Sequence, residues 1–147
     1  MIEQALYKRL HDDATIAGLV GTRIEPEASA QSSTLPRIVY VFTSKDYDRT
    51  LTGSTPALCK ATIDIDCIAT TYFGVKTLAD AVRTRLDRFR GNVADVTAPA
   101  FDETVNWTNL LDDDDGYSQP ADGSGKGEYW IRQTYEMWYG TSIPTGT

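Results

Sequence analysis

Apolar positions recur at helical spacing from the first residues. Ile2, Leu6 and Leu10 stand four apart with Ala5 on the same side, while Glu3, Gln4, Lys8 and Arg9 fall elsewhere, which predicts a short amphipathic helix. Asp12 or Asp13 then caps a second set of turns through Ile16, Leu19 and Val20, and Gly21 is a left-handed stop. A brief strand is expected at Arg23 and Ile24, then a loop of small and polar residues over 27–34. "LPRIVYVFTS" is a stronger strand signal, with Pro36 at its start. Its Ile38, Tyr40 and Phe42 alternate with Val39 and Val41, so both faces are apolar and both predict a cover, one a helix and the other a subunit.

Residues 45–56 carry turn chemistry around an isolated Leu51. Beyond them Ala61, Ile63, Ile65, Cys67 and Ala69 share one parity, with Thr62, Asp64 and Asp66 on the other, the mark of a half-buried strand. The period then changes. Val75, Leu78, Ala79, Val82, Leu86 and Phe89 fall at steps of three and four, predicting a helix from Tyr72 to Phe89 that Gly91 ends. After a linker containing Pro99, Val105, Trp107, Asn109 and Leu111 read as a strand, and residues 112–127 as an exposed, mobile connection rich in acids and glycine. In "EYWIRQTYEMWYG" Tyr129, Ile131, Tyr135, Met137 and Tyr139 oppose Trp130, Arg132, Thr134, Glu136 and Trp138. Two tryptophans on the polar side exceed what a solvated face needs. The sum is an α+β fold: a mainly antiparallel β-sheet packed by a central amphipathic helix, with an N-terminal helix at an edge or second face and a terminal β-hairpin. We expect one domain over 1–140 and a flexible tail over 141–147.

Composition narrows the chemistry. The 147 residues carry a formal charge of −7, which argues against a large basic face for nucleic acid. The first residues lack the apolar run of a signal peptide, and no stretch approaches the roughly 20 apolar residues of a membrane span. Cys59 and Cys67, eight strand steps or roughly 26 Å apart, lie beyond disulfide reach and read as buried thiols.

Asp64 and Asp66 project from one strand face at ~6–7 Å, a spacing used by acid/base pairs and some metal sites. They have no nearby histidine, and a solvated or interface role fits them better. The run from Asp112 to Asp115 fails the calcium-loop pattern, because placing Gly116 sixth puts Leu111 first and Asp122 twelfth. The glycines at 123, 125 and 127 precede a strand and do not make a nucleotide fingerprint. His11 reads as a helix-end residue, and no nucleophile elbow is present. Arg83, Arg85, Arg88 and Arg90 do not form one stripe, so pairing with Asp80, Asp87 or a neighbouring subunit is preferred to phosphate binding. Neither catalytic residues nor a metal or other cofactor is expected.

The ordered set "MIEQALYKRL", "IAGLVGTRI", "LPRIVYVF", "TLTGS", "IDCIATTY", "VKTLADAVRTRLD" and "YEMWYG" resembles the tail-completion, or tail-terminator, proteins of long-tailed bacteriophages and prophages. The resemblance implies a structural ring, commonly hexameric, on the head-proximal end of the tail tube, stopping tube polymerisation and joining the head or neck connector. A head-completion or connector ring on the portal side is the alternative it leaves. It also implies assembly in the host cytoplasm, residence in the virion tail, and contacts with tail tube protein and a connector or neck protein. Genome DNA would pass without sequence-specific binding.

Residues Arg49, Thr50, Leu51, Thr52, Gly53 and Ser54 are then the candidate partner-contact loop. Val39, Val41, Arg83, Trp130 and Trp138 are candidates for the ring interface. Asp64, Asp66, Asp112, Asp113, Asp114 and Asp115 are candidate lumen acids, since six copies at −7 each carry −42.

Overall fold

The computed structural model describes residues 1–26, 35–47, 58–97, 100–118 and 127–140. Two short helices open the chain, α1 (Ile2–His11) and α2 (Ala14–Val20), followed by β1 (Ile24–Pro26), β2 (Arg37–Tyr47) and β3 (Cys59–Ala69). The long helix α3 (Tyr72–Leu86) leads to β4 (Gly91–Asp95), β5 (Phe101–Ser118) and β6 (Glu128–Tyr139). These strands form one six-stranded sheet in the order β1-β2-β3-β6-β5-β4, antiparallel except for the β1–β2 pair. The α+β expectation therefore holds.

Helix ends follow local chemistry. The Asp13 side chain accepts from the Ile16 amide and Gly21 closes α2 at φ 60°, both as the sequence predicts. Thr71 caps α3 by accepting from the Gly74 amide. That helix stops at Leu86, earlier than the apolar stripe implies, because Asp87 turns extended and Arg88 takes the left-handed position at φ 64°. The turn is held from outside. The Arg88 amide donates to the Thr108 carbonyl and Asp87 accepts from the Leu110 amide, tying the end of α3 to β5.

All three helices share one face of the sheet. Ile2, Leu6 and Leu10 of α1, Ile16 and Val20 of α2, and Val75, Leu78, Val82 and Leu86 of α3 meet Ile38, Ile63, Ile65, Cys67, Ile131, Tyr135 and Met137 in one continuous core. The N-terminal helix thus covers the same face as α3, so of its two expected places, an edge or a second face, the second does not hold. Arg9 donates to the Arg85 carbonyl and Arg85 to the Arg9 carbonyl, a reciprocal lock between α1 and α3. The Arg9 guanidinium also lies 3.7 Å above the Phe89 ring. The sheet curls around α1, which pairs Glu3 with Lys45 of β2 and Lys8 with Asp95 of β4. Within the core Gln133 donates to the Ala79 carbonyl and accepts from the Tyr135 hydroxyl, so buried polar atoms fix α3 against β6.

Two expectations fail in the C-terminal half. The acidic stretch from Asp112 to Ser118 is strand, the distal part of β5, and not an open connection. Gly91 begins β4, a strand the sequence pattern did not predict. Residues 119–126, like the tail 141–147, lie outside the described residues.

Candidate functional site

Among the described residues no helix lies over the opposite face of the sheet, and cross-strand register shows what that face presents. Val39 of β2, Asp66 of β3, Arg132 of β6 and Asp114 of β5 stand in one row. Val41, Asp64, Thr134 and Asp112 stand in the next. Trp130 and Trp138 mark the two ends of β6 on this same face, the latter opposite Trp107. The face is graded: Val39 is buried, Asp64 and Asp66 are half-buried, and Asp112 and Asp114 are exposed.

The polar groups at the centre of β3 and β6 are paired. Arg132 donates through Nε and a terminal nitrogen to the two oxygens of Asp66, at 2.8 and 3.1 Å. Thr134 donates its hydroxyl to Asp64 at 2.8 Å. The two strand carboxylates therefore serve cross-strand pairing, and their geometry is that of a paired face and not an acid/base site. The Trp130 indole N–H donates to the Ser118 hydroxyl at 3.2 Å, and its ring lies flat across Gly116. A Cβ at Gly116 would fall 2.0 Å from that ring, so only glycine admits this packing. Lys60 lies 5.6 Å from the centre of the Trp138 ring.

Register also divides the acid run. Asp112 and Asp114 join the open face, whereas Asp113 and Asp115 point to the helix side, opposite Gln133 and Ile131. Asp115 pairs there with Lys76 of α3. Desolvation by burial, then the Asp115 charge, raises the Asp113 carboxyl above its ordinary value despite Lys76 and Arg83. The six candidate lumen acids are thus split four to two between faces. Four of the five ring-interface candidates, Val39, Val41, Trp130 and Trp138, share the open face with the four acids. Arg83 does not, since it belongs to α3 and lies 3.9 Å from Asp87. Residues 49–54 lie outside the described residues, but their flanking strands close with Tyr47 opposite Cys59, at the end of the sheet that also holds Tyr139. Ser118 opposite Glu128 marks the other end.

The cationic cluster disperses, as Arg85 serves the α1 contact and Arg88 the turn. His11 ends α1, stacked on Tyr7 at 5.4 Å. With Lys8, Asp12 and Asp95 it lines a cleft of about 500 Å³ whose walls hold neither serine nor cysteine. Both cysteines are fully buried, free thiols. Among the described residues no group of three or more His, Cys, Asp or Glu is placed to hold a metal ion, and no helix is long and apolar enough to cross a membrane. What sequence reasoning missed is Gly116, whose only signal was a glycine in an alternating stretch, and the aromatic groove beside it formed by Tyr72, Tyr117, Tyr129 and Trp130.

This fold has a counterpart among solved structures. A chain of the structure described as "Virion of native gene transfer agent (GTA) particle" superimposes with a TM-score of 0.62 at 17% identity, covering 95% of each chain. That likeness shows the fold. The class is that of bacteriophage virion structural proteins. More particularly, the chain belongs to the tail completion protein gp17 family, whose model matches residues 4–136. No curated protein matches it. Its role is structural, in tail completion.

Proposed function

We propose that the protein forms a ring, hexameric in the finished particle, on the head-proximal end of the tail tube, where it stops tube polymerisation and presents a joint to the connector or neck. The observation that carries this reading is the open sheet face, ordered by cross-strand pairs yet covered by none of the described helices. A closed ring needs a heterologous contact, one patch meeting a different patch on the next copy. The apolar β2 side of the face, Val39 and Val41, supplies one patch, with Trp130 and Trp138 at its rim. On the β5 side Asp112 and Asp114 face the opening, where carboxylates repel passing DNA and disfavour its adhesion.

The mechanism is occupation: the ring covers the surface on which the next tube subunit would add. Assembly would take place in the host cytoplasm, and no covalent step is involved.

Co-assembly with purified tail tube protein, compared with purified connector protein, tests the assignment. Rings seated on tube ends, with residues 49–54 protected from proteolysis, are expected. Binding to connector alone, with tube ends bare, would move the protein to the portal side as a head-completion ring.

A further inference from the structure

The end of the sheet where Ser118 stands opposite Glu128 carries an aromatic groove. Tyr72, Val75 and Lys76 of α3 face Gly116 and Tyr117 of β5 and Tyr129, Trp130 and Ile131 of β6 around about 250 Å³. The aromatic rings form a connected set, Tyr72 to Tyr129 at 6.0 Å and Tyr129 to Tyr117 at 4.7 Å. Tyr72 and Tyr117 are each about half exposed and the neighbouring Phe73 is 79% exposed. Lys76 and Asp115 neutralise each other at the rim, leaving a site for an uncharged apolar segment. A patch of this kind on a soluble surface marks a docking place, and aromatic grooves favour proline-containing strands, whose backbone is already stiff.

We propose that the groove receives the segment after Gly140 of a second copy, with Ile143 and Pro144 as its apolar anchors. Residues 141–147, TSIPTGT, hold no charged side chain. Geometry rules out the chain's own groove. Tyr139 lies ten residues along β6 from Tyr129, about 33 Å at ~3.3 Å per residue. Ile143 follows Tyr139 by four residues and reaches at most ~14 Å from it. The same offset that forbids the contact within one chain links each copy to the next in one direction, as a ring requires. The inference rests on the ring reading only in needing a neighbouring copy.

Chains carrying Tyr72→Cys and Ile143→Cys, mixed under mild oxidation, give the direct test, since the native thiols are buried. A mixed disulfide in several-fold excess over self-pairs is expected. Self-pairs alone, or an internal disulfide in the doubly substituted chain, would overturn the proposal. Independently of assembly, a chain ending at Gly140 titrated with a synthetic 141–147 peptide should show a saturable shift of the Tyr129 ring resonances. No shift, or the same shift with an Ile143→Asp peptide, contradicts it. A Tyr72→Cys thiol in the intact protein that stays reactive until tail tube protein is added would assign the groove to the tube instead. Mixed disulfides in closed dimers would uphold tail docking and refute the ring; rings lacking the disulfide would do the reverse.

Discussion

Along β3 and β6 successive residues alternate between two environments made from the same strands. On one side Ile63, Ile65, Tyr135 and Met137 meet three helices and are fully or almost fully buried. On the other, Asp64, Asp66, Arg132 and Thr134 pair across the strands. The first face accounts for the stability of a single copy, because removing apolar area from water is the dominant favourable contribution to folding. The second adds little to it, since exposed ion pairs contribute roughly 0–1 kcal/mol. Its order is directed outward. In the ring account, the two tryptophans, the bidentate arginine and the glycine shaped to an indole ring on this face serve contact with the next copy.

The contrast is sharpest for apolar truncation. Ile65→Ala should cost about 2–5 kcal/mol in chemical denaturation, through lost burial and the cavity left among α3 and the neighbouring strands. Val41→Ala on the open face should cost less than about 1 kcal/mol while weakening self-assembly. Equal losses at both positions would erase the distinction between the faces.

Gly116→Val tests the distal open face next. The added carbons meet the Trp130 ring, so a cost of about 1–3 kcal/mol is expected, with a changed Trp130 indole resonance. An unchanged resonance would mean the ring does not lie on Gly116. Arg132→Ala should then change the folding free energy by no more than about 1 kcal/mol. In the ring account it lowers the assembled mass far more than it lowers Tm, as measured by sedimentation and calorimetry on the same samples.

The smallest effect concerns the helix side of the acid run. Asp113 binds its proton more tightly when folded than the ordinary value of 3.8 allows. The stability associated with that proton is therefore fully present below the ordinary value and is lost as pH rises through the raised one. Asp113→Asn should accordingly stabilise the protein near neutrality, by no more than about 0.5 kcal/mol for so exposed a group. The gain should vanish below the ordinary value, and a gain independent of pH would exclude this cause.

Much of the helical layer was legible in sequence because its signals are local. The i, i+4 stripe of α1, the Asp13 cap, the Gly21 stop and the apolar stripe of α3 each depend on neighbours within a turn. The alternations of β3 and β6 were equally plain. What escaped depends on partners distant in the chain. Asp112 to Asp115 have poor intrinsic strand preference, yet pairing with residues 131–134 draws them into β5. Register shifts between Val105 and Trp107 and between Leu110 and Asp112 break the simple alternation. They turn Thr108 inward and leave Trp107 and Leu111 exposed. Arg88 took the left-handed turn that glycine at 91 was expected to supply, because contacts from β5 hold that turn in place. For the site, the alternating face was visible but its sharing was not. Only register reveals that the valines, tryptophans and half of the acid run lie together.

Growth of tail tubes in the presence of increasing amounts of this protein tests the central claim most directly. Tube length should become fixed once one ring occupies each growing end, with further protein left unbound. Tubes that keep lengthening at the same rate under saturating protein would contradict a terminating role.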